Sequence, residues 1–168
     1  MGCGMRIGYG YDIHRLDNRP PYGEGRPFTL GGVVIDHALG PVGKTDADVL
    51  LHAIIDALLG AVAAGSMSTL FLPEDPQRLI GDSRVFLREA CRRIKEAGWQ
   101  IGNVDATIIL ESPQISSFRE LIRTQLSKLL SVPCEDVSVK AKTHEGLDAL
   151  GKGMGVEAHA SVLLYRER

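Results

Sequence analysis

The chain has 168 residues, 44% of them apolar and 24% charged, with a net charge of -2. This length and apolar share predict one domain, residues 1–168, with a core of its own. Mixed charge signs and only 5% aromatic residues argue against a nucleic-acid surface.

At the start, Met1-Gly2-Cys3-Gly4-Met5-Arg6 has Arg where a myristoylation signal needs Ser or Thr, and no apolar h-region follows. Neither a lipid anchor nor a signal peptide is expected. Cys3, Cys91 and Cys134 are odd in number and lack C-x-x-C spacing, which predicts reduced thiols in a cytoplasmic-type compartment. Met5 to Leu16 reads as a strand whose period of two places Asp12 and His14 on one face. Such an Asp-x-His blade offers two metal ligands. Residues 17–26, rich in Gly, Pro and charge, form a loop. Pro27 to Asp36 reads as a second strand, with Gly31-Gly32 as a bulge or a turn inside a hairpin. Residues 37–44 form another loop.

The central helix follows. Thr45-x-x-Asp48 fits a capping pattern, and Thr45 and Asp46 are read equally as caps or ligand contacts. From Val49 to Gly60 the only interruptions of the apolar run are His52 and Asp56, so the helix is expected to be buried on all sides and is no membrane span. Asp48, His52 and Asp56 recur at intervals of four. Buried together, they need partners, because an unsatisfied polar group costs roughly 2–7 kcal/mol. Two arrangements satisfy them. Either His52 is a core histidine hydrogen-bonded to Asp48 or Asp56, or His52 ligates a cation with these carboxylates behind it. With Asp12 and His14 it would complete a carboxylate–His–His set that leaves a zinc position open.

Gly60, Gly65 and Ser66-Met67-Ser68 end that helix, and Phe71-Leu72-Pro73-Glu74-Asp75-Pro76 reads as an ordered loop. Asp82 to Trp99 is an amphipathic helix with apolar Val85, Phe86, Ala90, Ile94 and Ala97. Ile101 to Glu111 is a strand, Ser116 to Leu130 a helix, Asp136 to Thr143 a strand, and Val156 to Tyr165 the last strand. The order predicts an α/β layer sandwich: helices on one face of a mixed four-stranded sheet, plus an N-terminal hairpin. The sheet's other face also needs cover, and an oligomer is one way to supply it.

Four pieces taken together are specific: Gly-Tyr-Asp-Ile-His-Arg-Leu, Leu-His-Ala-x-x-Asp-Ala-Leu-Leu-Gly, Gly-Asn-Val-Asp-Ala-Thr-Ile-Ile and Val-x-Val-Lys-Ala-Lys-Thr-His-Glu-Gly. With them the chain, from Arg6 onward, resembles the 2-C-methyl-D-erythritol 2,4-cyclodiphosphate synthase family of the non-mevalonate isoprenoid pathway. The resemblance implies a homotrimer with active sites at subunit interfaces. It implies zinc on Asp12, His14 and His52, with Asp48 and Asp56 behind them, and magnesium or manganese on Glu145 at the substrate diphosphate. It places a cytidine pocket on Leu110, Ser112, Pro113, Gln114, Ile115, Ser116, Ala141 and Lys142, and a transition-state contact on Thr143. The polyol end falls to Lys44, Thr45, Ser66, Met67, Ser68, Phe71, Glu74 and Asp75, and Lys152 takes an Arg position.

The implied reaction is intramolecular phosphoryl transfer: a phosphate on the polyol attacks the β-phosphorus of the CDP group and expels CMP. Such chemistry rests on positioning and charge neutralisation. The family's His-Ser-Asp-Gly-Asp is here Lys44-Thr45-Asp46-Ala47-Asp48, its Asp-Ile-Gly is Ser66-Met67-Ser68, and its Pro-Lys is Pro113-Gln114. Pro113-Gln114 falls beside the nucleotide, the other departures gather around the polyol, and the metal set is spared. Two further readings stand beside the first: a paralogue acting on another CDP-linked phosphorylated polyol, and a non-catalytic trimeric nucleotide-binding module. The expected compartment is the cytoplasm, or a plastid-like stroma if a transit peptide was removed.

Overall fold

The computed structural model describes residues 4–71 and 81–166. Strand β1, Gly4–Asn18, alternates as expected: Gly8, Gly10 and Leu16 are buried while Met5, Ile7, Tyr9, Tyr11 and Ile13 are exposed. The hairpin follows as β2, Thr29–Leu30, and β3, Val33–Val34. Gly31 and Gly32 form its turn with φ of 61° and 77°. Two consecutive left-handed residues match the twist of a tight hairpin, and glycine reaches that region without steric cost. The remaining elements are β4, Leu39–Pro41; α1, Val49–Ala61; α2, Met67–Leu70; α3, Ser83–Glu96; β5, Gln100–Ile109; α4, Arg119–Leu130; β6, Val137–Lys142; α5, Asp148–Gly151; and β7, Gly155–Arg166.

The main sheet has five strands in the order β4-β1-β7-β5-β6, not the four expected. The added strand lies inside the predicted loop 37–44, where Leu39, Gly40 and Pro41 pair antiparallel with Asn18, Asp17 and Leu16. Three residues ending in proline carry no readable period, and proline belongs on a sheet edge because it cannot donate to a ladder. Strands β5 and β6 are parallel, joined through α4, and the other pairs are antiparallel.

Helix α1 lies directly on β1 and β7, and all its residues except Asp56 and Gly60 are buried. Its approach depends on glycine: a Cβ on Gly8 would stand 1.8 Å from the Ala57 carbonyl oxygen, and one on Gly10 1.9 Å from that of Ala53. Backbone meets backbone there, and this sets His52 over the strand that carries Asp12 and His14. Helix α3 buries Phe86, Leu87, Ala90 and Ile94; the expected apolar position Ala97 is exposed, and it caps the helix end instead. No helix among the described residues is long and apolar enough to cross a membrane.

Candidate active site

Asp12 and His14 project from the α1 side of β1, and His52 meets them from the first turn of α1. His52 Nδ1 lies 2.8 Å from Asp12 Oδ2, His14 Nε2 lies 3.1 Å from the same oxygen, and the two ring nitrogens are 3.3 Å apart. A tetrahedral ion with bonds of about 2.0–2.1 Å spaces its ligands roughly 3.3–3.4 Å apart. The three atoms therefore form a slightly contracted face of such a tetrahedron, and they are the cluster of metal-type donors among the described residues. His52 is nearly enclosed, whereas the Asp12 side chain is 29% exposed, so the fourth direction opens outward. Burial pushes the Asp12 carboxyl up, but hydrogen bonding with His14 and His52 outweighs it and holds the group well below the usual carboxylate range. An anionic oxygen and two imidazoles at these separations suit a divalent ion.

The carboxylates four residues either side of His52 do other work. Asp48, and neither Thr45 nor Asp46, is the N-cap of α1, and its oxygens accept from Gly31 N (2.9 Å), Gly32 N (2.7 Å) and Leu51 N (3.0 Å). It thus ties the hairpin turn to the helix start rather than contacting the His52 ring. The cap moves because Thr45 Oγ1 already accepts from Ala47 N in the preceding turn, where Ala47 has φ 55°. Burial pushes the Asp48 carboxyl up to about 6 against the opposing pull of those amides. Asp56 accepts from Met67 N at 2.6 Å and so anchors α2; burial raises its pKa as well. Behind His52 stands Ser83, with its Oγ 2.8 Å from His52 Nε2, and Ser83 in turn donates its hydroxyl to Asp46. Nothing local in the sequence points to Ser83, because a serine opening a charged amphipathic helix has no signal of its destination.

Lys44 is exposed next to Gly43, which adjoins the His14 ring and whose carbonyl accepts from Arg26 Nε at 2.6 Å. Ser66, Met67 and Ser68 begin α2, with the Ser66 and Ser68 hydroxyls 2.8 Å apart. Phe71, expected at the substrate, has its ring buried against Phe86 at 4.7 Å between centroids, so that side chain belongs to the core. Glu74 and Asp75, with Pro73, lie outside the described residues.

A second group assembles at the ends of β5 and β6. Their parallel pairing sets Ile109 beside Lys142, and Leu110 N donates to the Lys142 carbonyl at 3.0 Å. This brings 110–116 alongside Ala141, Lys142 and Thr143. Leu110 and Ile115 are buried, while Ser112, Gln114, Ser116, Ala141, Lys142 and Thr143 are exposed and Pro113 is half-buried. Thr143 Oγ1 donates to Glu145 Oε1 at 2.9 Å, and Lys152 is exposed just past α5. Sheet register relates the two groups: Asp12, Ala158, Ile108 and Ala141 form one row across β1, β7, β5 and β6. Three strand spacings separate its ends, about 14 Å. The metal-type triad and the exposed loops thus share one end of the sheet without touching.

A family model described as the YgbB family matches residues 5–165. The 2-C-methyl-D-erythritol 2,4-cyclodiphosphate synthase of Burkholderia thailandensis is 46% identical over 163 residues, 97% of this chain and 97% of that one. The synthase of the same name from Cytophaga hutchinsonii is 44% identical over 162 residues, 96% and 98% of the two chains. Among solved structures, Plasmodium falciparum IspF in complex with CDP superposes with a TM-score of 0.84 at 36% identity, covering 98% of each chain.

Proposed function

The chain belongs to the YgbB family, and from that premise we propose that it closes 4-diphosphocytidyl-2-C-methyl-D-erythritol 2-phosphate to 2-C-methyl-D-erythritol 2,4-cyclodiphosphate with release of CMP. The observation that carries this is the convergence of Asp12 Oδ2, His14 Nε2 and His52 Nδ1 within 3.3 Å of one another, with an open outward side. We assign zinc to these three atoms, where it would polarise a phosphoryl oxygen and template ring closure. Glu145, an oxygen ligand on the turn after β6, suits magnesium or manganese at the diphosphate.

The protein's own side chains supply positioning and charge. Lys44, exposed one residue past Gly43 at the His14 ring, would supply an ammonium for the attacking phosphate. The loop 110–116, with Ala141 and Lys142, presents backbone and hydroxyl groups to the cytidine, and Thr143, hydrogen-bonded to Glu145, supplies the transition-state contact at the phosphates. Ser66, Ser68 and Thr45 bound the polyol side. Proton transfer is a minor part of this chemistry, because the attacking phosphate is already an anion.

A homotrimer with active sites between subunits fits two features. The row Met5, Ile7, Tyr9, Tyr11 and Ile13 leaves an apolar sheet face exposed. The separation of about 14 Å between triad and nucleotide loops exceeds what a diphosphate bridges within one subunit, so a loop from a neighbour would complete the site. We place the enzyme in a reducing, cytoplasmic-type compartment, with Cys91 and Cys134 as free thiols.

The deciding experiment incubates the zinc-loaded protein with the CDP-linked phosphate and follows both CMP and the cyclic diphosphate. Equimolar formation of the two is expected. Bound zinc with no CMP would overturn the substrate assignment, and CMP without cyclic product would overturn the cyclisation.

A further inference from the structure

Behind the triad a chain of three groups ends on a carboxylate. Asp46 Oδ2 accepts the Ser83 backbone N–H at 2.9 Å, and Asp46 Oδ1 accepts the Ser83 hydroxyl. The Asp46 backbone N–H is itself tied to the Gly81 carbonyl at 2.7 Å. A carboxylate accepts and does not donate, and a serine hydroxyl carries one proton. With that proton directed at Asp46, Ser83 Oγ turns only lone pairs toward His52 Nε2, 2.8 Å away. Nε2 must then carry the imidazole proton. With a cation on the triad the ring is neutral, and its other nitrogen, Nδ1, the atom that meets Asp12 and His14, turns its lone pair to that cation in place of a proton shared with Asp12. Ser83 is fully buried and His52 is 6% exposed, so water does not compete for these bonds.

We propose that Ser83 and Asp46 are positioning residues for the metal centre, holding the His52 ring in the orientation and tautomer that present Nδ1 to a divalent cation. The inference rests on the assignment of the triad as a metal site and adds the groups that orient its buried ligand. Partners of this kind typically matter ten- to a hundredfold in metal affinity. The coupling also links two helices, because Ser83 opens α3 and His52 lies in α1.

The test uses the full chain and zinc alone, with affinity read by competition against a chromophoric chelator. Ser83→Ala should weaken zinc about ten- to a hundredfold, with a much smaller change in the melting temperature of the zinc-free protein. Ser83→Thr, which keeps the hydroxyl, should restore most of the affinity. A third arm needs no variant: in the zinc-loaded, ¹⁵N-histidine-labelled parent, the His52 Nε2 proton should be protected from solvent exchange. Equal zinc affinity for Ser83→Ala and the parent, with His52→Ala no longer binding, would overturn this inference and leave the metal assignment standing. No zinc binding by the parent would overturn both. Should Ser83→Ala fail to fold, a freely exchanging Nε2 proton in the parent would still overturn it.

Discussion

Replacing Gly10 with alanine tests how the fold delivers His52 to the strand. The added Cβ would sit 1.9 Å from the Ala53 carbonyl oxygen, 2.7 Å from Ala57 N and 2.9 Å from the Ala53 carbonyl carbon. All three atoms are backbone, so no rotamer change relieves the clash. Reaching ordinary contact near 3.4 Å requires α1 to lift by about 1.5 Å. Overpacking a core by a methylene costs about 1–3 kcal/mol, and an unyielding neighbour puts this case at the upper end. For a chain of this size about 3 kcal/mol corresponds to a fall of roughly 6–12 °C in melting temperature. His52 immediately precedes Ala53, so the lift also carries Nδ1 away from Asp12 and His14, whose spacings of 2.8–3.3 Å leave no slack for it. Zinc affinity should therefore fall together with stability. Gly98→Ala is the comparison: nothing lies within 4 Å of its Cβ, and the left-handed φ of 78° costs about 1–2 kcal/mol with zinc binding unchanged. Thermal unfolding and chelator competition on both variants give the answer. A Gly10→Ala protein that melts within about 2 °C of the parent and binds zinc equally would refute the reasoning.

Three other outcomes are expected. Asp48→Ala removes the N-cap of α1 and strands the amides of Gly31, Gly32 and Leu51; at about 1–3 kcal/mol per unsatisfied group, urea unfolding should report a loss of at least about 3 kcal/mol. Lys44→Ala touches an exposed side chain, so stability should stay within about 0.5 kcal/mol, while kcat/KM for CMP release drops about a hundredfold if the ammonium neutralises developing phosphate charge; an unchanged kcat/KM would remove Lys44 from the mechanism. The guanidinium of Arg92, with that of Arg93, holds Glu89 down to about 2. A depressed carboxyl stabilises the fold above its unfolded pKa near 4.5 and loses that contribution as pH falls from there toward 2. Because both arginines are about half exposed, the loss is under about 1 kcal/mol. Glu89→Gln should accordingly flatten the acid limb of stability slightly, and added salt should shrink the difference.

Much of the site was readable because its signals are local. Alternation along β1 put Asp12 and His14 on one face, and the run of apolar residues around His52 announced a buried helix. Paired glycines at 31 and 32 marked the hairpin turn. These are properties of period and backbone freedom, which a short stretch carries by itself. The same logic failed where the deciding neighbour was distant. Leu39–Pro41 became a strand only because the end of β1 offered it a ladder. Asp48 outcompeted Thr45 as the cap because two amides from the hairpin converge on its carboxylate, well away in sequence. Phe71 went to Phe86 and the core because apolar contact outweighs a motif position.

By itself, then, the amino-acid order determined the period of each long element, the ligand types and their membership in a family, all written in residue identities and near-neighbour spacing. Only the tertiary structure decided that Asp12, His14 and His52 meet within 3.3 Å, that Ser83 and Asp46 stand behind His52, and that the end of β6 lies three strands away. Those facts depend on how closely α1 can approach β1 and on the order of strands across the sheet. Both are settled by contacts between residues far apart in the chain, which no local pattern encodes.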